Sequence, residues 1–278
     1  VLHLSLTGSR EIGQGVRTVS DTVQHDQPPR QPNREGVHGV FYAARGLFVA
    51  DLVTSSPAEA APLLSLAEGE AAIPRDALPY DIACVVAAFG ILAASPASTP
   101  LYLPIAFSTL LRPSRWADYR EMLQVLPEAA RGRLGAAIYD VPRAPTFQAL
   151  QQALQALEPH VASVDLRTRD PDFEIEQIPA GAVTSVTLAL PDGPPRLRQA
   201  VMRRFAERLP AYRRRRVWAG LSNLRSPAEI RIAVGCHIPL LSGPAISDLL
   251  PEPAGGRSWP LARLPLTSTP AAPVARSA

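Results

Sequence analysis

The chain has 278 residues, and its 28 basic side chains are all arginine, which excludes a Schiff-base lysine and a lysine-bearing phosphate loop. Against 25 acidic residues the net charge is only +3, too small to argue for a nucleic-acid partner. The longest apolar run, 82–94, is shorter than the roughly 20 residues of a membrane span, and no basic-apolar-small leader opens the chain, so the expectation is a cytoplasmic protein.

The length suits two small domains or one barrel, and regular strand-helix alternation favours the barrel. Residues 1–36 read as a polar arm and linker, with one weak helix over 9–23 and a proline-rich stretch at 26–33. Apolar clusters on either side of Arg45-Gly46 predict a strand pair over 37–53. The Ala/Pro/Glu-rich segment 57–79 reads as a loop with short helical pieces. Asp81 to Ala94 follows as a helix, apolar nearly all round and therefore expected to be buried.

Strands are then predicted at 101–107, 134–139, 161–166 and 183–190, separated by helices at 114–126 and 145–157 and by a loop at 172–178 too short for a full crossover helix. The spacing of Phe147, Leu150, Leu154 and Leu157 predicts one inner helix face. In the helix 195–209, Leu197, Val201, Phe205 and Leu209 do the same. The outer face of that helix runs into Arg213, Arg214, Arg215 and Arg216. Barrel helices are half solvated, so this basic strip reads as a solvated face rather than a docking patch. From 216 to 247 an apolar run, a helix start at Ser226-Pro227-Ala228-Glu229 and a second apolar run form a strand-helix-strand unit. The proline-rich tail 251–278 carries Trp259, which is placed to pack back on the barrel.

The closing unit, Trp218-Ala219-Gly220-Leu221-Ser222 followed by Gly235-Cys236 and Ser242-Gly243, resembles the end of an EAL domain. That family has a TIM-barrel fold, and its active members hydrolyse cyclic di-GMP. The resemblance implies an α/β fold, a single TIM-type (β/α) barrel of the EAL type over 37–250, with parallel strands. It also implies that Ala106, Asp140, Asp165, Ala189, Ala219 and Ser242 gather at strand ends on one face. The family's ligand positions fall on Ala106, Ala137, Asp140, Asp165, Thr187, Ala189 and Ala219, so the acids and amide that hold two divalent cations are largely replaced.

The expectation is a degenerate, non-catalytic module with neither metal nor cofactor, working through a protein partner or self-association. A cyclic di-GMP sensor is the first alternative, although the arginine expected after Glu-Ala-Leu-Leu is replaced within Thr54-Ser55-Ser56. An active phosphodiesterase is the last. Other catalytic sets have less support: the 5 histidines lack metal-binding spacing, Ser242-Gly243 is no nucleophile elbow, and Asp81 with Cys84 makes no dyad. Cys84 and Cys236 are expected to be free thiols.

Overall fold

The computed structural model describes residues 34–56, 77–94 and 99–268. The expected arm helix at 9–23 and most of the expected loop at 57–79 lie outside the described residues.

Two strands, β1 (Arg34–Tyr42) and β2 (Leu47–Ser56), pair antiparallel. Their turn ends on Gly46, whose φ of 59° is easy only without a side chain. Next come α1 (Leu78–Ala94), β3 (Leu101–Ala106), α2 (Phe107–Leu111), α3 (Pro113–Val125), α4 (Glu128–Arg131) and β4 (Leu134–Tyr139). They are followed by α5 (Phe147–Leu157), β5 (Ser163–Thr168) and β6 (Ser185–Ala189). The chain then forms α6 (Pro195–Glu207), α7 (Leu209–Arg215), β7 (Trp218–Ser222), α8 (Pro227–Gly235) and β8 (Leu240–Leu241). The strands close into a barrel in the order β1 to β8.

The barrel is not wholly parallel as expected. Strand β1 runs antiparallel to both β2 and β8, and every other neighbouring pair is parallel. The reason is local. Parallel neighbours need a crossover of a dozen or so residues, and the short link 43–46 can only reverse the chain.

Strand alternation sends one set of side chains into the barrel and the other against the helices. Gly220 belongs to the inner set, where a Cβ would stand 2.6 Å from Thr187 Oγ1. Ala219 therefore faces outward, between the barrel wall and the α7 layer.

Three helices differ from expectation. In α5 the buried residues are Leu150, Ala153 and Leu157, while Phe147 is exposed. In α6 they are Arg198, Met202 and Phe205, with Leu197 exposed. The rotation of α6 follows from Arg198, whose buried ion pair outweighs the apolar count of the neighbouring face. Helix α1 buries Tyr80, Asp81, Cys84 and Val85 but leaves Val86 and Phe89 in solvent, so it is buried on one side only.

The start of α8 is as expected. The Ser226 hydroxyl accepts the Glu229 N–H at 3.3 Å. Residues 251–268 are laced onto the β1–β2 hairpin: Trp259 N–H donates to Gly46 O at 2.8 Å, and the Ala254 and Gly255 N–H groups donate to the Asp51 carboxylate, each at 2.8 Å. No helix among the described residues is long and apolar enough to cross a membrane. Cys84 is buried, Cys236 is half-buried, and both are free.

Candidate functional site

In barrels of this kind the loops after the parallel strands form the active face. Here Ala106, Tyr139, Thr168, Ala189 and Ser222 end the strands β3 to β7. The register pairs Ala106 with Tyr139, so Tyr139 rather than Ala137 is the β4 residue at this mouth. Ala137 lies deeper, fully buried and paired with Asp165. Asp140, just past β4, is exposed with φ 59°.

Asp81 of α1 supplies a carboxylate to this mouth. It is fully buried and accepts the Tyr139 hydroxyl at 2.7 Å, the Ala106 N–H at 3.1 Å and the Thr109 hydroxyl at 3.4 Å. Burial and the negative charge of Asp81 raise the Tyr139 pKa far above its usual value, so the phenol keeps its proton and donates. An acid inside an otherwise apolar helix was the signal for this contact, and sequence reasoning set it aside as no dyad.

Asp165 differs from its expected place. Strand β5 continues to Thr168, which puts Asp165 inside the barrel wall rather than at the strand end. Its Oδ1 accepts the hydroxyls of Ser185 at 2.7 Å and Thr187 at 2.8 Å, and its Oδ2 accepts Arg167 Nε at 3.2 Å. Arg167 and Asp165 are only 4% and 5% exposed, a buried neutral pair with both carboxylate oxygens engaged. The Asp-x-Arg spacing on one strand face is a signal that the sequence carried and that went unread.

His38 on β1 is also close to this pair. Burial lowers its pKa; the Ser247 backbone opposes that and the Arg167 charge adds to it, so the balance favours the neutral imidazole. Among the described residues its buried Nδ1 has no hydrogen-bond partner.

The remaining expected positions spread between the two ends and the outer layer. Ala189 closes β6 and is buried, Thr187 points at Asp165, and the Ser242 hydroxyl donates to Leu221 O at 3.5 Å. Ala219, facing the helices, does not join them.

A clasp of charges holds the loops after β6 and β7. Arg198 donates from Nε to Glu229 Oε1 at 2.6 Å and from Nη2 to Glu229 Oε2 at 3.1 Å. It also donates to the carbonyls of Pro191 at 2.5 Å and Asn223 at 2.6 Å. Glu229 accepts the Arg225 N–H at 2.7 Å in addition. Burial alone would raise the Glu229 pKa, but Arg198 and the Arg225 and Ser226 backbone hydrogen bonds pull it below the usual value.

The basic strip is partly engaged. Arg204 pairs with Asp172 at 2.7 Å and with Glu207 at 2.9 Å. Arg215 donates to the carbonyls of Ile178 at 2.7 Å and Glu176 at 2.6 Å, and Arg208 pairs with Glu176 at 2.6 Å. These contacts fasten segment 172–178 to the barrel.

The two divalent cations implied by the EAL resemblance do not fit these residues. Among the described residues no three of the His, Cys, Asp and Glu side chains come together to hold a metal ion. Asp81 at the mouth and Asp165 in the barrel already accept three hydrogen bonds each.

No protein-family model and no curated protein matches this chain. Solved structures do. The S helix-GGDEF-EAL protein LapD of Vibrio cholerae superposes with a TM-score of 0.54 at 12% identity, over 76% of this chain and 52% of that one. The Bacillus subtilis YkuI protein, solved with an EAL domain in complex with cyclic di-GMP and calcium, gives 0.52 at 13% identity, over 75% and 52%. The Xanthomonas citri FimX EAL domain in complex with cyclic di-GMP gives 0.50 at 15%, over 77% and 86%. This chain therefore spans about half the length of the first two. An eight-stranded closed barrel with a reversed first strand, superposing on these proteins, has the fold of an EAL domain.

Proposed function

We propose that this chain is a non-catalytic EAL-type barrel serving as a regulatory or protein-interaction module in cyclic di-GMP signalling. The observation that carries this reading is the composition of the mouth. Hydrolysis of a phosphodiester by two cations needs several free carboxylates to activate water and hold the in-line oxygens. Here the strand ends bear alanine, hydroxyl and phenol groups at Ala106, Tyr139, Thr168, Ala189 and Ser222, while Asp165, deeper in the barrel and away from the mouth, is paired with Arg167.

A second reading, a sensor that binds cyclic di-GMP without cleaving it, is favoured by the YkuI and FimX structures, both of which are complexes with that nucleotide. The test is twofold. Purified protein is incubated with cyclic di-GMP and Mg²⁺ or Mn²⁺, and calorimetric titration measures binding. The proposal expects no turnover and no saturable heat. Saturable heat without turnover selects the sensor reading, and turnover that follows the protein through purification refutes both.

A further inference from the structure

We propose that the barrel carries a second site, at the end opposite the mouth, for a small aromatic carboxylate. A cavity of about 260 Å³ opens there. Its lining includes Trp218 and Leu240, the first residues of β7 and β8, together with Pro100 and Thr184, which immediately precede β3 and β6. Tyr42, the last residue of the reversed β1, completes the rim. These positions set the opening at the N-terminal end of the parallel strands, with the barrel interior between it and the Asp81–Tyr139 mouth.

The chemistry of the cavity is divided. Its walls are mostly aliphatic, with Val40, Val49, Ala50 and Leu241 among them. Its polar floor is Arg167 with Asp165, Ser185 and Thr187. Both Asp165 oxygens are already engaged. Arg167 is in a different state: it is 4% exposed, yet among the described residues its only hydrogen bond runs from Nε to Asp165. A guanidinium has five N–H donors in a rigid fork, and the two terminal nitrogens left over match a carboxylate in bidentate geometry.

The rim selects the body of the ligand. Tyr42 and Trp218 meet edge to face with centroids 5.6 Å apart, and Trp218 is 48% exposed although it begins a barrel strand. An aromatic ring packed against this pair at the rim meets two π-systems. The volume admits a molecule of about ten non-hydrogen atoms, below the usual range for drug-sized ligands. The site shares the Asp165–Arg167 pair with the argument for lost catalysis but none of the strand ends Ala106, Tyr139, Thr168, Ala189 and Ser222, and its test reads phenylacetate binding, which can fail without deciding whether the protein binds or cleaves cyclic di-GMP.

Phenylacetate and its neutral isostere phenylacetamide are the probes, titrated into the full chain at neutral pH by ligand-observed NMR and calorimetry. The expected result is saturable binding of one phenylacetate, at least about tenfold tighter than the amide, the worth of one charge-assisted hydrogen-bonded pair. Arg167→Met should erase the preference for the acid. Trp218→Ala, at an exposed rim position, should weaken acid and amide alike. If Arg167→Met does not fold, the paired change Asp165→Asn with Arg167→Met takes its place. Absence of saturable phenylacetate binding at millimolar concentration, equal affinity for acid and amide, or binding indifferent to Trp218→Ala would each overturn the proposal.

Discussion

Replacing Glu229 with leucine keeps most of the side-chain volume but strands the Arg198 guanidinium in a buried site where it is 3% exposed. The pair spans α6 and α8, and through the carbonyls of Pro191 and Asn223 it fixes the loops after β6 and β7. Removing one partner of such a pair costs about 3–5 kcal/mol, because the remaining charge has left water without its counter-charge. A domain of this size loses roughly 2–4 °C of Tm per kcal/mol, so the expected fall is about 6–20 °C. Urea unfolding followed by circular dichroism measures the free energy directly.

The pH dependence of the same variant supplies a second readout. The Glu229 pKa lies below its ordinary value of 4.5 in the fold. Its stabilisation is therefore present above that ordinary value and is lost as pH falls through the lower folded one. The double change Arg198→Met with Glu229→Leu removes both charges and should recover most of the loss, leaving about 1–2 kcal/mol for the orphaned carbonyls. A single variant within about 1 kcal/mol of the parent, or a double variant no better than the single, would refute the reasoning.

Asp51 responds to pH in the opposite sense. Burial raises its pKa from 3.8 to about 6 despite the Ala254 and Gly255 N–H bonds and the Arg257 charge. Its contribution is fully present below 3.8 and is lost as pH rises through about 6. The interval is worth about 3 kcal/mol at most, so the stability difference between the parent and Asp51→Asn should grow in favour of the parent on going from pH 7 to pH 4, and a flat difference would contradict it. Gly243 sits at φ 129°, where a Cβ would collide with the Leu224 backbone. Gly243→Ala should lower stability by more than about 2 kcal/mol in the same urea assay. Arg213 and Arg214 are exposed, so changing both to glutamine should leave unfolding within about 0.5 kcal/mol of the parent; a larger loss would show that they pack or pair in the folded chain.

Local chemistry in the sequence was enough to order the elements. Alternation and apolar runs located the strands around 101–106, 134–139 and 218–222, and the Ser226–Glu229 pattern located the start of a helix. The Arg45-Gly46 turn located the hairpin. The shortage of acids at the expected ligand positions was equally plain, because absence of a residue type needs no geometry. The phase of a helix was harder. Arginine counts as an outward residue in any periodicity, so local pattern turns α6 the wrong way; the partner that allows Arg198 to be buried, Glu229, lies 31 residues later.

The tertiary structure decided what depends on distant partners. It reversed β1 against both neighbours, carried β5 past Asp165 to Thr168, and brought Arg167, Ser185 and Thr187 around that acid. It joined Asp81 to Tyr139 across 58 positions. Local periodicity reports which side of an element is apolar. Barrel closure and register decide which polar groups on different strands share one interior, where a charge without a partner is costly.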